Sequence, residues 1–211
     1  SNLIVPQGQT MTINDGVSLR VADQVSITIE GTFNSGFSTI SSMGGGARWN
    51  GLIVGDNVET SAQILGTSMV EGSPLITVSG DADVVISNAL LSRSSSAEPL
   101  IRTTNSASGT VQIISTSLSD SASHCIEAQG STTLTLEQVT MQNCESNSLW
   151  ARGLHLAIDD LQVSEMVDLG GVSGYLSNFI GNEVIVNNLD GFVISGIDIT
   201  SLNGTDNREI T

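Results

Sequence analysis

Lysine is missing from this 211-residue chain: all six cations are arginines, against 22 acidic residues and a net charge of −16. Arg20, Arg48, Arg93, Arg102, Arg152 and Arg208 are scattered, so no cationic strip forms for phosphates and nucleic acid is excluded as a partner. Aromatic residues make up 3% of the chain and there are only three prolines. No apolar run approaches the ~20 residues of a membrane-spanning helix. No Gly-Lys-Ser/Thr follows the Gly-rich stretch 34–47, so phosphate cradling is excluded there, and the stretch reads as a loop or irregular coil. There is no EF-hand loop and no Gly-Gly-x-Gly-x-Asp repeat. No cofactor is expected, and the acidic stretches 80–83, 159–160 and 189–191 leave calcium as the one conceivable ion.

What is present is Leu, Ile and Val in short alternating runs, with abundant Ser and Thr and 22 glycines. That balance fits many short strands joined by tight polar turns. The runs repeat. "AQILGTSMVE" (62–71), "VVISNALLSR" (84–93), "VQIISTSLSD" (111–120), "LTLEQVTMQN" (134–143), "LAIDDLQVSE" (156–165) and "VIVNNLDGFV" (184–193) align, with the column Ile64, Ile86, Ile113, Leu136, Ile158, Val186 advancing by 22 to 28 residues. A second column runs Leu52, Leu75, Leu100, Cys125, Leu149.

Alternation buries every second side chain. A two-residue polar break such as Glu137–Gln138 lacks the Gly-Asn chemistry that reverses a strand, but it can turn the chain onto a new face. Gly66, Asn88, Thr116, Gln138, Asp160 and Asn188 occupy that break in successive repeats. Three such bends close a coil, and each strand then pairs in parallel with its equivalent one repeat away. The fold class is an all-β single-stranded parallel β-helix with three short strands per 22–28-residue coil. One domain spans 1–211: N-terminal coils and the Gly-rich loop to residue 47, regular coils over 48–200, and a tail from 201. Because "SLNGTDNREIT" supplies no cap, the chain reads as a slice of a longer protein.

The stretches "VPQGQTMTINDGVSLRVADQVSITIEGTF" (5–33) and "RWNGLIVG" (48–55) resemble the opening coils of right-handed parallel β-helix domains, the pectate-lyase-like superfold, in large secreted or cell-surface proteins. The resemblance implies a right-handed coil and an extracellular or cell-surface setting. It does not imply an activity, because this superfold hosts enzymes, adhesins and passive stalks alike.

Asp159 and Asp160, with His155 just upstream, are the best candidates for paired acid–base cleavage of a glycosidic bond. Neighbours on a strand point in opposite directions, though, and the Gly-His-Gly and Arg-Ile-Lys signatures of the β-helix hydrolases are absent. A lyase base would have to be Arg102 or Arg152. Arg102 stands in a column above Glu127, which predicts an ion pair between coils. Aromatic platforms for sugar are limited to Trp49, Trp150 and Tyr175, with Trp150 placed in the core phase by alignment with Ile53, Ile76, Ile101 and Ile126. Thr132, Thr133 and Thr135 have no in-register counterparts by sequence, which speaks against a threonine ladder. Cys125 and Cys144 either form one disulfide, worth about 3 kcal/mol for a loop of this length, or remain buried thiols. The sequence thus predicts a non-enzymatic extracellular scaffold or adhesive surface towards polysaccharides or cell-surface glycans, with a polysaccharide hydrolase or lyase as the alternative.

Overall fold

The computed structural model describes residues 2–44, 48–55, 60–94, 97–145 and 149–150 with their side chains, and beyond these the strand backbones at 151–152, 155–164, 172–175, 178–186 and 193–195. The chain passes the same three stations in each coil. Coil 1 is β1 (Leu3–Val5), β2 (Thr10–Ile13) and β3 (Ser18–Val21); coil 2 is β4 (Ile27–Ile29), β5 (Thr32–Ser35) and β6 (Thr39–Ser42). Coil 3 follows with β7 (Leu52–Val54), β8 (Ser61–Leu65) and β9 (Ser68–Val70), and coil 4 with β10 (Ile76–Val78), β11 (Asp83–Ser87) and β12 (Leu90–Ser92). Coil 5 holds β13 (Ile101–Thr103), β14 (Thr110–Ile114) and β15 (Ser117–Ser121), and coil 6 holds β16 (Ile126–Ala128) and β17 (Thr133–Cys144). Coil 7 is β18 (Leu149–Arg152) and β19 (His155–Ser164), coil 8 is β20 (Val172–Tyr175) and β21 (Asn178–Val186), and β22 (Val193–Ser195) opens the next.

Every strand pairing is parallel and joins neighbouring coils. First-station strands form a nine-stranded sheet, and the other two stations form a thirteen-stranded sheet that is continuous because β17 runs through its corner. The expected parallel β-helix is the observed fold. No helix among the described residues is long and apolar enough to cross a membrane.

The core is the sum of the inward columns. Ile64, Ile86, Ile113 and Leu136 are all buried and stack in direct register, as do Met69, Leu91, Leu118 and Met141 at the third station. Where bulk varies it is complementary: Phe33 lies over Ala62. Ser35 also points inward, and its hydroxyl is matched at 2.8 Å by that of Thr67, which donates in turn to the Gly36 carbonyl.

The corner after the second station depends on a left-handed residue. Gly66, Asn88, Ser115 and Gln138 have φ of 62°, 51°, 48° and 53°, and the N–H groups of the first three reach carbonyls of the next coil. A single αL residue therefore bends the chain without interrupting the ladder, so β17 is one strand carrying the bend at Gln138. Three repeat assignments require correction. Leu52 and Leu149 share their column with Ile76, Ile101 and Ile126, not with Leu75, Leu100 and Cys125. The coil-5 corner is Ser115, one residue before Thr116, because Ser117 pairs with Leu90 and Thr140. Ile158 faces Gly181, while Val186 belongs with Val163 at the next station. Within 34–47, the end of β5 and all of β6 are regular strand: Gly36 marks a corner between two alternating runs. A β-branched residue at an αL position is strained, so Asn88→Val is expected to cost about 1–2 kcal/mol, a loss of several degrees in a thermal melt, whereas Asn88→Gly should leave the melt near wild type.

Candidate functional site

At several corners of the stack polar side chains are engaged from coil to coil. At the corner after the third station, Glu71, Arg93, Asp120 and Asn143 are all left-handed and link coil to coil. The Ser42 hydroxyl donates to Glu71 at 2.8 Å, Arg93 lies 3.6 Å from the same carboxylate, and the Asn143 amide donates to Asp120 at 3.1 Å. At the neighbouring corner the Ser115 hydroxyl donates to the Gln138 amide oxygen. On the first-station sheet, Arg102 donates through Nε and Nη2 to one oxygen of Glu127 at 3.1 and 3.0 Å, and the Gln129 amide donates to the other at 2.8 Å. Glu98 lies 2.6 Å from Arg102 Nη1, but its orientation makes this an ion pair without a directed hydrogen bond. This bears out the predicted inter-coil pair and leaves Arg102 no freedom to act as a base.

A cleft opens at the corner of the first three coils. In coil 1 the segment Asn14–Val17 makes a tight turn, with the Val17 N–H donating to the Asn14 carbonyl and Gly16 at φ 75°. The turn holds Phe37 from both sides: the Phe37 N–H donates to Asp15 Oδ1 at 3.0 Å, and the Gly16 N–H donates to the Phe37 carbonyl at 2.7 Å. A Cβ on Gly66 would fall 2.3 Å from the Phe37 ring, so glycine there serves both the left-handed bend and the seat of the ring. Phe37 is nevertheless 59% exposed and its neighbour Leu65 42%. An open depression of about 570 Å³ is bounded by Leu65 and by Gly36, the residue before Phe37, and lined further by Thr12, Asn14, Asp15, Asn34 and Gln63. Among the described residues, no hydrogen bond engages the side chains of Thr12, Asn14, Asn34 or Gln63.

An exposed aromatic ring beside unengaged amides, a hydroxyl and a carboxylate is suited to a ligand with alternating C–H and O–H surfaces. Nothing in the sequence alone singles out this cleft. A signal was present in "DG" at 15–16, "GF" at 36–37 and "LG" at 65–66, but only the register brings those three dipeptides together.

The residues selected from sequence lie elsewhere. Trp49 is fully buried, with its indole N–H donating to the Val70 carbonyl at 3.0 Å, and so presents no face to a ligand. Trp150 is out of the core phase to which sequence assigned it. It stands in register with Glu127, Arg102, Thr77 and Ile53, while Ile76, Ile101 and Ile126 continue the inward column of Leu52 and Leu149. Leu75, Leu100 and Cys125 directly precede Ile76, Ile101 and Ile126 and are apolar and buried as well, which hid the one-residue offset. Trp150 is half-buried, and its ring stacks on His124 with centroids 6.1 Å apart.

His155, Asp159 and Tyr175 lie on β19 and β20, with His155 opposite Thr133, Asp159 opposite Glu137 and Tyr175 opposite Arg152; Asp160 follows Asp159 at the corner. Their side chains lie outside the described residues. No cluster of three metal-ligating side chains occurs among the described residues. Of the acidic stretches, 189–191 lies outside them, and Asp83 accepts from the N–H and hydroxyl of Thr110. Cys125 and Cys144 form a disulfide with Cα atoms 5.5 Å apart. Thr133, read as unmatched, does have in-register partners in Thr110 and, lower in the stack, Thr32 and Thr10.

Compared with protein-family models, curated proteins and solved structures, the chain matches none.

Proposed function

We propose that this chain is a non-enzymatic extracellular β-helix module, a rigid scaffold that binds glycan through the cleft at Phe37. One observation carries the reading: an exposed aromatic ring, Phe37, follows directly on Gly36 of a depression whose Thr12, Asn14, Asn34 and Gln63 side chains make no hydrogen bond among the described residues. The Cys125–Cys144 disulfide supports an oxidising, extracellular setting. An array of plant, marine and bacterial polysaccharides tests the reading. Retention on one class is expected, and Phe37→Ala should weaken it about tenfold, the effect of losing one stacking contact. Undiminished retention by that variant would place the binding surface elsewhere.

The alternative, a polysaccharide hydrolase or lyase, draws support from the register of Glu137 with Asp159, two carboxylate-bearing residues one coil apart. Release of new reducing ends from the array, abolished in Glu137→Gln, would establish that alternative.

A further inference from the structure

Resting on the glycan reading of this cleft, we propose that its ligand is an uncharged, extended polysaccharide segment lying along the stack across coils 1 to 3, met by one row of hydrogen-bonding groups per coil. Strands β2, β5 and β8 pair in direct register, so their outward side chains form two columns: Thr10, Thr32 and Ser61, and Thr12, Asn34 and Gln63. Rows repeat at the strand spacing of about 4.8 Å, and columns two residues apart stand roughly 6.7 Å from each other. Among the described residues no side-chain hydrogen bond engages any of the six, so the grid offers donors and acceptors in a fixed two-by-three array.

The array has a definite limit. In coil 4 the amide column is replaced by Val85, and Asp83 turns to Thr110 of coil 5, accepting from its hydroxyl at 2.6 Å and its N–H at 3.0 Å. The outer rows of the grid are therefore about 10 Å apart, on the order of two pyranose rings end to end. Phe37 and Leu65 flank this strip as its apolar margin. A row of groups fixed at the coil spacing favours a chain parallel to the stack over one crossing it, because only the former meets all three rows.

Charge fixes the class. Asp15 is the one ionisable group lining the depression, and Arg20 lies on β3, past the corner. A uronate chain would bring carboxylates to a carboxylate on a protein of net charge −16, with no cation in the cleft to offset them.

Affinity gel electrophoresis of the full chain in hydroxyethylcellulose, xyloglucan and galactomannan, with polygalacturonate and chitosan as charged counterparts, tests this. Retardation in at least one neutral polymer and none in polygalacturonate is expected. Thr32→Val, Asn34→Ala and Gln63→Ala should each weaken retardation about fivefold, the effect of one net hydrogen bond, while Thr110→Val, beyond the grid, should leave it unchanged. Thermal melts of the variants confirm that each is folded. Neutral-polymer retardation that Phe37→Ala abolishes but the grid variants do not would overturn the axial placement and leave the cleft standing. Retardation only in polygalacturonate or chitosan would overturn the uncharged class. No retardation in any polymer would overturn both this inference and the reading beneath it.

Discussion

Ile113→Asp is expected to abolish cooperative folding at physiological temperature. Ile113 is fully buried in the second-station column, with Ile86 and Leu136 directly below and above it. A carboxylate there would lie between two aliphatic side chains with no cation or donor among them, a cost of several kcal/mol on top of the lost burial of the isoleucine. Domains are typically stable by only about 5–15 kcal/mol. The architecture aggravates the loss, since each coil contacts only its neighbours and a failed coil uncouples the two halves of the stack. The adjacent variant Ile114→Asp provides the control. Ile114 belongs to the outward column with Ser87 and Glu137, so its charge remains hydrated and the cost should stay near 1 kcal/mol. Circular dichroism melts of both proteins check this, and similar losses in the two would contradict the inward–outward alternation.

The same alternation made the fold legible in advance. In β8, β11, β14 and β17 the inward residues stand at a constant distance from the left-handed corner, so aligning apolar residues aligned the coils. Legibility failed where two neighbouring residues suit the corner equally or where two apolar columns adjoin. The coil-5 corner at Ser115 has a threonine beside it, and either residue suits a bend by type; only the pairing of Ser117 decides between them. The pairs Leu75–Ile76, Leu100–Ile101 and Cys125–Ile126 are buried together, and their uninterrupted hydrophobicity gave Trp150 the wrong phase.

The cleft was illegible for a different reason. Phe37 occurs in a stretch of small residues with no obvious alternation, and its significance comes from Asp15 below and Gly66 above, each more than twenty residues away along the chain. Composition flags tryptophan and tyrosine as sugar platforms. Here the indole of Trp49 closes the core against the Val70 carbonyl, while a phenylalanine seated on a glycine is left facing solvent. Register alone does not decide which polar groups are engaged: Asn34 and Asp83 each have a threonine opposite one coil away, Thr12 and Thr110, yet of the two only Asp83 bonds to it.

Removing the disulfide should produce the second large effect, and a local one. Ser121, at the end of coil 5, pairs with Cys144 at the end of coil 6, and Cys125 comes four residues after Ser121, where the chain has rounded the corner into coil 6. The bond therefore ties the end of one coil to its own beginning. The offset around the coil that separates the two cysteines in sequence is taken up by this corner, which brings their Cα atoms to 5.5 Å. Closing a loop of this size restricts the unfolded chain by about 3 kcal/mol, so Cys125→Ala with Cys144→Ala is expected to lower the melting temperature by roughly 6–12 °C. Because coils couple only to their neighbours, amide exchange should accelerate in β16, β17 and β18 while β2, β5 and β8 keep their protection. Glycan binding at the Phe37 cleft, several coils away, should survive at temperatures where the far end has already frayed. Uniform acceleration along the whole chain would instead make the stack a single cooperative unit and remove the basis for treating the cleft as independent of the clip.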